Sequence, residues 1–190
     1  LKNFFTLKNI KINKVILDNA NFNLNSQNYN FFNKILEGNF TESSFIIKNG
    51  NIFFRNNVKE VLFINKILNL KYYYDVIELK NIAYSENEIF NIPYSFKLLS
   101  AKEDNKFLSK LNLNFLKLQI KNEFIFDDVF NKGLADIIFN KSKSIISYKT
   151  NNDYFKFNFS NKLEASNFSY NGFINFKPFY SNFDGTADTI

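Results

Sequence analysis

The chain has 190 residues and a formal charge of +6, and 45% of it is hydrophobic, with 26 Phe and 10 Tyr but no Trp. It contains no Cys and no His. That excludes a disulfide framework, a thiolate metal site, and any Ser-His-Asp or Cys-His catalytic arrangement. The length suits one domain, and no apolar run approaches the ~20 residues of a membrane-spanning helix.

Residues 7–24 alternate apolar and polar in three short phases: Ile10 and Ile12, Val15 and Leu17, then Ala20, Phe22 and Leu24. A one-residue phase slip is what a bulge or bend produces, so this stretch reads as one bent strand or two short ones. Residues 26–38 switch to helical spacing, with Phe31, Phe32, Ile35 and Leu36 on one side and Gly38 past the end. The spacing predicts one short amphipathic helix near 28–37. In 44–55, Asn49-Gly50 predicts a type I′ hairpin turn, because both residues tolerate positive φ. Phe45 and Ile47 before it, and Ile52 and Phe54 after it, each share a face by their spacing of two.

Strands are expected at 59–67 and in 70–84, with a bend at Asp75-Val76. Pro93 fits a strand start or an edge. Glu103-Asp104-Asn105 makes a turn, and the slip from Leu111, Leu113 and Phe115 to Leu116, Leu118 and Ile120 predicts a second bulge. Strands at about 133–140, 143–150, 154–160 and 166–177 are divided by turns at Asn140-Lys141, 151–153 and Asn161-Lys162, with a further break at Pro178 and Gly185. Phe155, Phe157 and Phe159 face one way, as do Phe168, Tyr170, Ile174 and Phe176. The sum is an all-β, mainly antiparallel meander in a long open sheet or groove, kept as one domain over 1–190.

Chemistry is sparse. Asp127-Asp128 and Glu103-Asp104 are adjacent carboxylates; neighbours in a strand point to opposite faces, so they read as turn residues and not as a hydrolytic pair. No glycine lies in a phosphate-binding setting. The lysines are scattered singly along the sequence, which assigns the basic charge to composition and not to a nucleic-acid stripe. Aromatics between lysines could stack on bases, but the oily faces are also rich in Ile and Leu, which suit acyl chains or a dry core.

The run LKNIKINKVILDNANFNL, the segment FFNKILEG, then FIIKNGNIFFRNN and EVLFINKI resemble the AsmA-like family of envelope proteins, a group that includes the TamB-like proteins. FSYNGFINFKPFYSNFDG, residues 168–185, is similar to their later strands. The resemblance implies a non-enzymatic periplasmic β-groove, anchored to the inner membrane by a segment outside these residues. Such a groove shields acyl chains in phospholipid passage between the membranes or in outer-membrane assembly. It implies phospholipid or another acyl-chain lipid as partner, with no nucleic acid, metal or cofactor. A chain that opens on Leu1 and holds no Met reads as an internal piece of such a protein. The groove candidates are Phe45, Ile47, Ile52, Phe54, Leu111, Leu113, Phe155, Phe157, Phe159, Phe168, Tyr170, Ile174 and Phe176. The alternative is a structural or interaction β-sandwich of a secreted or envelope protein, since alternation marks a hidden face in either case.

Overall fold

A computed structural model describes residues 13–25, 28, 44–56, 58–101, 105–126, 130–163 and 166–189. The helix expected near 28–37, and the Asp127-Asp128 pair, lie outside the described residues apart from Asn28. The described residues are almost all strand. The strands are β1 (Lys14–Asp18), β2 (Asn21–Leu24), β3 (Ser44–Arg55), β4 (Val61–Asp75), β5 (Lys80–Ile89), β6 (Ile92–Ala101), β7 (Lys106–Leu113), β8 (Leu118–Ile125), β9 (Asn131–Phe139), β10 (Ser142–Thr150), β11 (Tyr154–Leu163), β12 (Ser166–Phe176) and β13 (Phe179–Thr189). The chain divides into two compact units, Leu1–Phe90 and Asn91–Ile190.

In the first unit, β1 and β2 both run parallel to β3, Val15 beside Phe45 and Phe22 beside Ile52. β4 and β5 then follow antiparallel. The phase slip between Leu17 and Ala20 is the break between β1 and β2. The hairpin expected at Asn49-Gly50 does not form: β3 runs straight through it. A type I′ turn needs positive φ at both central residues. Here Asn49 has φ 51°, but Gly50 does not enter the left-handed region. One left-handed residue kinks a strand without reversing it. The kink is matched next door, where Asn19 has φ 54°. The two breaks are laced together by Asn19 N–H donating to Lys48 O and Asn51 N–H to Ala20 O, both at 2.9 Å. Gly50 is required for space: a Cβ there would stand 2.8 Å from Ile47 Cγ2 and 3.0 Å from the Ala20 carbonyl oxygen. β4 carries its own slip, an extra residue at Leu68 against β5.

The second unit is a plain antiparallel meander in which each strand from β6 to β13 pairs with the next. Asn140 and Lys141 form the two-residue turn the sequence predicts, with φ 46° and 75°. Asparagine builds the turns by local capping. Asn151 Oδ1 accepts from the N–H of Asp153 and Tyr154 at 2.8 and 2.9 Å, and Asp75 Oδ1 does the same for Ile77 and Glu78. Three expectations are corrected. The slip at 115–116 is a 3-10 turn, Asn114–Leu116, closed by left-handed Lys117. β11 continues through Asn161 to Leu163, and Gly185 lies inside β13.

Neither unit stacks two sheets from its described strands. Each is one open layer, and its side chains meet mainly their neighbours on the same face. Only Ile47, Ile67, Ile82 and Ala135 are buried apolar residues among those described.

Candidate functional site

Residues directly opposite in a ladder point to the same face, so the register assigns the faces. In the first unit Val15, Leu17, Phe22 and Leu24 stand beside Phe45, Ile47, Ile52 and Phe54. The four candidates of β3 therefore share one face, extended on β4 by Phe63, Ile67, Leu70 and Tyr72. On β5 the same face turns polar, with Asn81, Ser85 and Asn87 all buried. Asn87 donates to Ser85 Oγ at 2.7 Å, whereas neither side-chain polar atom of Asn81 has a partner.

In the second unit the register carries one face unbroken from β6 to β13. Phe96 is opposite Leu111, Leu111 opposite Ile120 and Ile120 opposite Ile137. Tyr148 is opposite Phe157, Phe159 opposite Tyr170, Ile174 opposite Ser181 and Phe176 opposite Phe179. Leu111, Leu113, Phe155, Phe157, Phe159, Phe168, Tyr170, Ile174 and Phe176 all lie on this face.

The face carries a chain of touching rings. Phe107, Phe126 and Phe124 meet edge to face at centroid distances of 4.9 and 4.7 Å. Phe124 reaches Tyr148 at 6.3 Å, Tyr148 reaches Phe155 at 5.3 Å, Phe155 meets Phe157 at 5.6 Å and Phe157 meets Phe183 at 6.0 Å. These separations fall in the favourable range for aromatic pairs.

Two of the contacts join strands that are not adjacent, and glycine makes them possible. Gly133 sits on β9 between Phe124 and Tyr148, and Gly172 sits on β12 between Phe157 and Phe183. A Cβ at Gly133 would lie 1.9 Å from Tyr148 Cζ, and one at Gly172 would lie 2.3 Å from Phe157 Cζ. The absent side chain is the space the rings occupy. Gly185 is covered in the same way by Tyr170. Tyr148 is held by its hydroxyl donating to Asn122 Oδ1 at 2.9 Å, and burial raises its pKa above the ordinary 10.0.

Towards β13 the face opens to solvent, with Tyr170 42%, Phe183 55% and Phe179 76% exposed. Phe107, Phe124, Phe126, Tyr148 and Phe183 join the candidates predicted from sequence as members of the face. Tyr148 alternates with Ile146, and Phe124 with Phe126, so the signal was present within each strand. The pairing of glycine with aromatic across strands was not, because it depends on register.

No family model matches the chain, and neither a curated protein nor a solved structure matches it.

Proposed function

We propose that the chain is a non-enzymatic β-groove segment that holds lipid acyl chains along its apolar faces. In a longer envelope protein of the AsmA-like kind it would pass phospholipid between membranes from the periplasm. The observation that carries this reading is the second unit's face, mainly aromatic and aliphatic from β6 to β13, interrupted by Ser109, Asn122, Ser144 and Asn161, and left half-exposed by a single-layer sheet. An acyl chain is a long, flexible, purely apolar ligand, and it needs a continuous oily track with few polar groups. A sandwich would need a second sheet against that face. The described strands of each unit supply none, which favours the lipid reading over the sandwich.

The test is a photo-crosslinking amino acid placed singly at Phe54, Leu113 and Phe157 in the protein expressed in cells. Phospholipid adducts at these positions, and none at exposed Asp184 on the opposite face, are expected. Absence of adducts at all three positions in folded protein refutes the groove.

A further inference from the structure

The lysines that are scattered in the sequence are gathered by the register. On the polar face of the second unit Lys97 stands directly opposite Lys110, and Lys110 opposite Lys121. Stepped along the sheet, Lys132 is opposite Lys149, and Lys149 opposite Lys156. Neighbouring strands are about 4.8 Å apart, and like charges placed opposite one another destabilise a sheet. Two rows of three lysines are therefore a standing cost to the fold.

Asp136 stands directly opposite Lys121 and offsets one end of the first row, but the two described carboxylates of this face between β6 and β11, Glu123 and Asp136, are fewer than its lysines. Glu123 pairs with Lys106 at 2.6 Å and Asp136 with Lys143 at 3.9 Å. Lys97, Lys110, Lys121, Lys149 and Lys156 make no ion pair among the described residues. Lys132 and Lys149 stand over the Phe130 ring at 5.0 and 4.9 Å. Each row lines a shallow depression of ≈ 370 Å³. Between and beside the rows lie exposed aliphatic residues of the same face, Leu108, Ile125, Leu134, Ile138 and Ile145. Towards β13 the lysines give way to Asp184 and Asp188, so the patch has an end.

We propose that this face, from β6 to β11, docks on an anionic phospholipid bilayer. Charge complementarity demands a partner with closely repeated negative groups, which phosphate headgroups provide. The aliphatic residues between the lysines choose among polyanions. Lysine mixed with aliphatic side chains suits a headgroup layer with acyl carbon beneath it. Single-stranded nucleic acid would want stacking aromatics along both rows; among the described residues, rings flank the second row alone, Phe130 beneath Lys132 and Lys149 and Phe173 opposite Lys156. The proposal concerns the face opposite the acyl-chain track and stands or falls independently of it.

Sedimentation of the full chain with phosphatidylcholine vesicles, with and without phosphatidylglycerol, tests it. Binding is expected only to the anionic vesicles and is lost at high salt. Changing Lys97, Lys110 and Lys121 together to Gln is expected to weaken it about 100-fold, from roughly 5-fold per lysine at an anionic surface. The single change Lys110→Glu guards against misfolding. It sets a carboxylate between two lysines, so melting temperature should rise while vesicle binding falls, which an unfolded protein cannot do. Asn182→Ser, on β13 beyond the lysine rows, should leave vesicle binding within twofold. Equal binding to neutral vesicles overturns the proposal, as does full binding by the triple variant. So does tighter binding to a single-stranded oligonucleotide that the same substitutions abolish, which would give the rows to nucleic acid.

Discussion

The glycines of the second unit offer a graded test of the ring chain. Alanine at Gly172 would ordinarily help a strand by about 0.4–1 kcal/mol, since the unfolded chain loses freedom and no positive φ is required. Here the new Cβ would stand 2.3 Å from Phe157 Cε1 and Cζ and 3.0 Å from Phe183 Cδ1. Phe157 must swing away, loosening ring contacts at 5.6 and 6.0 Å. Each such contact is worth about 0.5–1.5 kcal/mol, so Gly172→Ala should destabilise by about 1 kcal/mol net. At Gly133 the ring in the way is Tyr148, tethered to Asn122 at 2.9 Å. Displacing it also costs a hydrogen bond of about 1 kcal/mol, so Gly133→Ala should lose about 2 kcal/mol. At Gly185 the ring is Tyr170, already 42% exposed and beside the last strand, and it can move into solvent. Gly185→Ala should stay within about 0.5 kcal/mol of the parent. Urea melts rank the three. The decisive comparison is a double-mutant cycle: with Phe157→Ala present, Gly172→Ala should become stabilising by about 0.4–1 kcal/mol. If Gly172→Ala costs the same with and without the Phe157 ring, the space over Gly172 is not what seats that ring.

Two further changes probe the first unit. Asn49→Val should cost about 1–2 kcal/mol, because a β-branched residue resists the left-handed kink, while Asn49→Gly should cost much less; thermal melts compare them. Asn81 is 3% exposed with neither amide atom satisfied, so Asn81→Leu should raise stability by about 1 kcal/mol in urea titration, and a loss would mean that the amide has a partner.

Period-two alternation made the faces legible strand by strand. Phe155, Phe157 and Phe159 belong together for no other reason than their spacing. The turns at 140–141, 151–153 and after Asp75 were legible because Asn and Asp cap their own backbone. What one strand does to its neighbour was not legible. Asn49-Gly50 has the composition of a hairpin turn, yet it makes a kink because β1 and β2 lie alongside β3 and hold it extended. Gly185 has the look of a break, yet its work is to leave room for Tyr170. The lysine rows are invisible in one dimension, since Lys110 and Lys149 each acquire their neighbours only when three strands come into register.

The single-layer sheet also accounts for the abundance of phenylalanine in physical terms. In a two-layer fold an aliphatic side chain is covered from above by the opposing layer. In one layer it can be covered only from the sides, by residues on the same face of adjacent strands. A ring can lie over its neighbours and cover them without help from above where a glycine makes room, as Tyr148 does at Gly133 and Phe157 at Gly172. Repeating that device at Gly133 and Gly172 ties β8 to β10 and β11 to β13, strands that share no backbone bonds. The same rings then form the upper surface of the sheet. A fold stabilised in this way presents a continuous apolar face as a consequence of how it is held together, and a lipid-binding role would exploit that face without requiring a separate pocket.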